Sequence, residues 1–259
     1  MNAFLTLAYL FFIGSLLGWG IEVIFRRFFA KENVEKKWIN PGFLTGPYLP
    51  LYGFGLCFLF LLALTEPYIP IASDVWRKLI LFLLMAVAMT GVEYVAGVIF
   101  IRGMNVELWN YKNEWGNIQG IICPKFSAYW AILGAVYYFL VHPRIENALE
   151  WLSRNLAFSF VIGFFFGVFM LDFANATRIV VKIRAFAREN EIVVRYEELK
   201  ARIRQGREEL RGKKAFLFSM HGSRPLGDYL RGYLDKYKAE IEEQLEKSKA
   251  ELEKRLPKR

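Results

Sequence analysis

Three carboxylates, Glu22, Glu93 and Asp172, stand inside long apolar runs of the chain. A carboxylate at bilayer depth costs at least ~2.5–3.5 kcal/mol, so such residues face a partner or a polar cavity. There they suit a cation, a hydrogen-bond-donating group, or proton transfer once burial raises a carboxyl pKa. Local pairing is the simpler reading for two of them: Glu22 with Arg26, and Asp172 with Asn175, each about one helical turn on. Glu93 has no base nearby in its own run.

Other chemistry is thinly represented. His142 and His221 lie outside the apolar runs, and His142 is expected in a loop without a partner. No Ser–His or Cys–His pairing is apparent, and the Asp-rich metal motifs of lipid phosphotransferases are absent. Cys57 and Cys123 are far apart and give neither a disulfide framework nor zinc spacing, so no metal and no cofactor is expected. Cys123 and Ser127 are the available nucleophiles; small polar packing residues is the simpler reading of both. The phosphate loop G-x-x-x-x-G-K-[ST] does not occur, so any ATP hydrolysis belongs to another chain.

The elements that must position the acids are apolar helices. Segments near 4–25, 48–65, 78–101, 126–141 and 156–178 meet the standard of ~20 predominantly apolar residues that a span needs, the fourth being the shortest. Pro50, Gly53 and Gly55 near the start of the second predict a broken or tilted beginning. Hydrophobic residues make up 55% of the chain and Phe occurs 24 times, beyond an ordinary soluble domain. The expected fold is all-α: a polytopic membrane bundle of about five spans over 1–179, then a basic, charged, helical cytoplasmic region over 180–259.

Basic joints orient the spans. Arg26, Arg27, Lys31, Lys36 and Lys37 follow the first span, and Arg102, Lys112 and Lys125 follow the third. The second joint carries Glu66 and Asp74 against Arg77 and Lys78, and the fourth mixes Arg144 and Arg154 with Glu146 and Glu150. An odd number of spans puts the first joint, third joint and C-terminus in the cytoplasm and the N-terminus outside. The start, without a positive n-region or a small-residue cleavage site, reads as a mature N-terminus. The fourth joint, 142–155, predicts a short interfacial helix bearing Ile145, Leu149, Trp151 and Leu152.

Depth groups the acids. At ~1.5 Å per residue, Glu22 lies about 6 Å from Arg26, Asp172 about 9 Å from Arg178 and Glu93 about 13 Å from Arg102. All three fall in the cytoplasmic half of the membrane, which predicts one shared polar cavity. Two cytoplasmic joints border it. The first carries Asn40, Pro41, Gly42, Gly46 and Pro47, and the third carries Trp109, Asn110, Tyr111, Asn113, Asn117 and Gln119. Interfacial anchoring covers the aromatic residues, but the gathered amides predict tightly folded loops that cap a cavity. The candidate substrate-contacting residues are Glu22, Glu93, Asp172, Trp19, Asn40, Trp109, Tyr111 and Asn117. Gly14 with Gly18, and Gly163 with Gly167, have the spacing that brings membrane helices close.

The formal net charge is +9, and most of the excess follows Arg178. Interleaved Glu and the lack of an aromatic stacking pattern argue against nucleic-acid binding. Residues 189–211 and 226–256 predict two charged helices with narrow apolar seams, pairing as a hairpin or dimerising. The first seam is Ile192, Tyr196, Leu199 and Ile203. The second is Tyr237, Ile241, Leu245, Leu252 and Leu256. Gly212 and 222–225 punctuate the stretch between.

An ordered set of motifs over roughly residues 8–175 resembles the putative ABC-transporter permease type IV family, the CmpB-like membrane proteins of bacteria. Gly18-Trp19 precedes Glu22; Asn40-x-Gly42-Phe43-Leu44-x-Gly46-Pro47 runs into Pro50-x-Tyr52-Gly53-x-Gly55. Glu93-Tyr94 follows, then Trp109-x-Tyr111, Asn117-Ile-x-Gly120, Cys123, Ser127 and Trp130. The family's usual Trp-Asp-Tyr is Trp109-Asn110-Tyr111 here, and its usual Asn-Arg-Gly is Asn40-Pro41-Gly42. A role needing that carboxylate or that base therefore does not carry over. The resemblance implies a transport permease of the bacterial inner membrane, with a separate ATPase subunit. Five spans are few for a whole path, so a homo-oligomer or a heteromer is expected. A lipid-directed enzyme at the inner leaflet, and a scaffold or sensor acting through the tail, are the competing readings.

Overall fold

The computed structural model describes residues 3–30, 33, 35–211 and 225–255. The chain forms two compact units, Met1–Tyr196 and Glu197–Arg259. In the first, α1 (Ala3–Phe28), α2 (Pro50–Ala63) and α3 (Asp74–Val98) are followed by α4 (Pro124–Val136), α5 (His142–Arg154) and α6 (Leu156–Glu189). A π turn, Ile99–Gly103, prolongs α3, and another, Tyr137–Val141, joins α4 to α5. Among the described residues, three helices are long and apolar enough to cross a membrane: Ala3–Phe28, Asp74–Gly103 and Ala157–Glu189; Pro50–Ala63 is apolar but shorter.

Proline sets the start of two short helices, α2 and α4. Pro50 and Pro124 occupy first-turn positions, where the missing N–H costs nothing, after the extended residues Leu49 and Cys123. The irregular backbone expected inside the second span thus lies before it, in the 40–49 loop.

Small residues decide which helices meet. A Cβ on Gly14 would lie 3.0 Å from Leu56 Cβ, one on Gly18 2.1 Å from Tyr52 Cγ, and one on Gly53 2.3 Å from Ser15 Oγ. Helices α1 and α2 can approach this closely only because those positions are glycine. Gly163 and Gly167 share the spacing but not the role, since a Cβ on either meets nothing within 4 Å. Around the α1–α2 seam, Tyr9, Leu10, Leu59, Leu81, Met85 and Trp130 form one buried core. Phe11, Leu44, Tyr48, Phe165, Phe169 and Ala176 form a second, which holds α6 against α1 through edge-to-face aromatic contacts.

The fourth joint is helical, with Ile145 and Leu149 buried and Trp151 exposed. His142 is helical rather than in a loop, and Tyr137 Oη lies 3.1 Å from its Nδ1. The partner sits five residues back, a spacing that the π turn creates.

Helix α6 runs on past its apolar stretch through Arg178, Lys182, Arg184 and Arg188. After a left-handed residue, Glu191, the chain pairs in parallel with the third joint. Strands β1 (Val106–Glu107) and β2 (Val194–Arg195) align Val106 with Val194 and Glu107 with Arg195. Glu107 is buried, 3.5 Å from Lys112 Nζ and 3.8 Å from Arg195 Nε.

The second unit takes nearly all of α7 (Tyr196–Arg211) together with α8 (Leu226–Arg255). Arg202 donates to the Gly232 carbonyl at 3.0 Å, with its guanidinium 5.2 Å from the Tyr233 ring centre. Leu199, Ile203, Leu230 and Tyr233 are buried, whereas Ile241 and Leu245 of the expected second seam are exposed. Gly212 and residues 222–224 lie outside the described residues, as does Leu256.

Candidate functional site

A cavity of about 980 Å³ lies among α1, α2, α3 and α4, with Phe43, Trp109, Tyr111 and Phe173 completing its wall. Four of the eight candidate residues are placed with respect to it directly: Glu22, Glu93, Trp109 and Tyr111 line it. The other four, Trp19, Asn40, Asn117 and Asp172, build the two loops around it.

The polar groups of the cavity form two sets. Glu93 on α3 is 3% exposed, and Tyr111 Oη donates to its Oε1 at 3.0 Å. The Trp130 indole approaches the same carboxylate. Its second oxygen, Oε2, is buried and accepts no hydrogen bond among the described residues. Burial, reinforced by the Glu93 charge, holds the Tyr111 phenol far above its ordinary pKa, so it remains a donor. Glu22 on α1, by contrast, is fully engaged. Arg26 Nε lies 2.8 Å from its Oε1, and Tyr52 Oη donates to its Oε2 at 3.0 Å. The Tyr52 ring then packs on Trp130 at 4.9 Å, which links the two sets.

The 105–123 loop carries Trp109 and Tyr111, and it is stapled from within. Trp109 Nε1 donates to the Ile121 carbonyl at 2.9 Å, and Tyr111 N to Gly120 O at 2.8 Å. Asn117 donates to the Lys112 and Glu114 carbonyls and accepts from Gly120 N. Gly116 and Gly120 adopt φ of 66° and 68°, where a side chain would be strained. Tyr111 stacks on Phe126 with ring centres 4.2 Å apart, which fixes the phenol's aim at Glu93.

The 40–49 loop is held by the remaining candidates. Asn40 is buried; its Oδ1 accepts from Trp19 Nε1 at 2.7 Å, and its amide donates to Leu44 O and Thr45 O. Asp172 reaches this loop rather than the cavity. It accepts from Thr45 N at 2.9 Å, Gly46 N at 2.8 Å and Tyr48 Oη at 2.7 Å. Neither the Asp172–Asn175 pair nor a cavity shared by three acids is what the fold builds. Equal depth fixed how far along α6 Asp172 sits, not which way it faces.

Three groups that matter here were not among the candidates. Tyr52 and Trp130 stood in the motifs without a role, and Glu107 was not singled out. A tyrosine two residues after a helix-starting proline was the available signal for Tyr52. Among the described residues, no group of three or more His, Cys, Asp and Glu is placed to hold a metal ion.

Among curated proteins and among solved structures, none matches this chain. A family model described as putative ABC-transporter type IV matches residues 9–177, which include both loops and every residue of the cavity. The chain belongs to the putative ABC-transporter type IV family.

Proposed function

We propose that this protein is the membrane-embedded permease subunit of a transporter and that the cavity among α1, α2, α3 and α4 holds its substrate. The observation that carries the reading is Glu93, a carboxylate buried in an apolar helix, with Oε1 held by Tyr111 and Oε2 accepting no hydrogen bond among the described residues. Burial of this kind is destabilising and persists where a site uses it. Glu22, Trp109 and Tyr111 contact substrate in this reading. Trp19, Asn40, Asn117 and Asp172 hold the walls in place.

Five crossings accommodate the fold. The three long helices are joined by α2, whose 14 residues follow the 40–49 loop, and by α4 with its π turn. Non-helical backbone at depth is tolerated where protein satisfies it, as Asn40 and Asp172 do for 40–48. The N-terminus is outside and the C-terminus, with the basic end of α6 and its helical hairpin, is cytoplasmic in a bacterial inner membrane. The protein acts as an oligomer with a separate ATPase subunit.

Mild-detergent purification from native membranes, with mass spectrometry of what stays bound, tests this. A stoichiometric partner carrying the G-x-x-x-x-G-K-[ST] loop is expected. A preparation active without such a partner overturns the permease reading and favours an enzyme or an ATP-independent carrier.

A further inference from the structure

The cavity is apolar over most of its wall, and its rim is made of side chains that a bilayer would touch. Phe54 of α2, Val95 and Ile99 at the end of α3, and Ile132 of α4 all line it and are all half-exposed. In a chain that spans the membrane, exposed apolar side chains on spanning helices face acyl chains. The mouth between these helices is therefore continuous with hydrocarbon, and a small polar solute gains nothing from such an entrance.

The polar end of the cavity has one unmet requirement. Both Glu22 oxygens are taken, by Arg26 and Tyr52. Tyr111 donates to Oε1 of Glu93 and the Trp130 indole approaches the carboxylate, while the buried Oε2 accepts no hydrogen bond among the described residues. Arg26 offsets Glu22, whereas Glu93, the other carboxylate lining the cavity, forms no ion pair among the described residues. A hydroxyl would fill the hydrogen bond and leave the charge unmatched, and a quaternary ammonium would do the reverse. A protonated amine answers both.

We infer that the cavity takes an amphiphile directly from the bilayer, one whose head group presents a protonated amine to Glu93 while its hydrocarbon lies in the opening between Phe54, Ile99 and Ile132. This rests on the permease reading and names the substrate class for it. The apolar rim selects the molecule by its tail, and Glu93 selects it by its head.

The test is native mass spectrometry of the delipidated full chain, titrated with phosphatidylethanolamine, phosphatidylcholine and phosphatidylglycerol of identical acyl chains. Phosphatidylethanolamine should bind at least about tenfold more tightly than either of the others, the scale of one hydrogen bond to a charged group. Glu93→Gln should erase that preference. Gly91→Leu is the second variant, because Gly91 lines the cavity and a Cβ there meets open space. Its leucine should reduce binding of all three lipids while the melting temperature holds. Equal binding of the three lipids by the wild type overturns the inference, and so does a preference that survives Glu93→Gln or lipid binding that Gly91→Leu leaves undiminished. If a stoichiometric ATPase co-purifies but no amine preference is found, the amphiphile falls and the permease stands. An amine preference without an ATPase does the opposite.

Discussion

Tyr52 occupies the volume that Gly18 leaves open: a Cβ on Gly18 would sit 2.1 Å from Tyr52 Cγ. The same ring packs on Trp130, and its hydroxyl holds Glu22, so one missing methyl group fixes part of the cavity wall. Gly18→Ala should cost about 1–3 kcal/mol, the usual range for overpacking a tight contact. Thermal unfolding in detergent would show it as a lowered midpoint. Gly20→Ala, where a Cβ meets nothing within 4 Å, should leave the midpoint in place. Equal behaviour of the two variants would refute the packing argument.

Asp172 closes the 40–49 loop with three donors, two of them backbone amides. Asn in its place keeps one oxygen and turns an N–H₂ group toward backbone N–H groups, which can only donate. The expected loss is about 3 kcal/mol, the scale of one or two hydrogen bonds to a charged acceptor. Limited proteolysis should then cut between residues 40 and 48 at protease levels the wild type resists. Unchanged resistance would mean that Asp172 does not secure the loop.

Glu93→Gln should lower ATP hydrolysis by the purified complex by more than about tenfold, while membrane insertion and the melting temperature stay close to wild type. Gln keeps an acceptor for Tyr111 and removes the buried charge, so the loss falls on function and not on stability. Tyr111→Phe removes the hydrogen bond to Oε1 but leaves the ring stacked on Phe126, and its effect should be smaller. Full activity in Glu93→Gln would end the case for this carboxylate.

How much of this was legible in the sequence varies with the geometry each inference needed. The Glu22–Arg26 pair was readable because its partners lie one turn apart on one helix. Amides gathered in the third joint correctly implied a tightly folded loop, since Asn117 satisfies backbone that no helix or sheet serves. The destination of Asp172 was not readable, because its donors lie more than 120 residues away and spacing gives height without direction. Gly14 with Gly18 and Gly163 with Gly167 show the same gap. One spacing occurs twice, and only the pair with a neighbouring helix makes a contact.

Glu107 ties the third joint to the end of α6 through Arg195, opposite it in the parallel pair, and through Lys112 in the 105–123 loop. Glu107→Ala removes the buried carboxylate between two cations. Hydrogen exchange should quicken at the Val194 amide, which donates to the Asn105 carbonyl at 3.0 Å. Exchange at the Met85 amide, deep in α3, should not change. Uniform quickening along the chain would instead indicate global destabilisation.

The parallel pairing also sets an order of assembly. Parallel strands cannot be joined by a tight turn, and here the crossover consists of α4, α5 and α6. Val106 and Glu107 therefore wait for Val194 and Arg195, which leave the ribosome only after α4, α5 and α6 have been made. A nascent chain halted before β2 holds all its apolar helices, yet the loop bearing Trp109 and Tyr111 still lacks its anchor. Emergence of β2, rather than insertion of any single helix, is the event that anchors this loop.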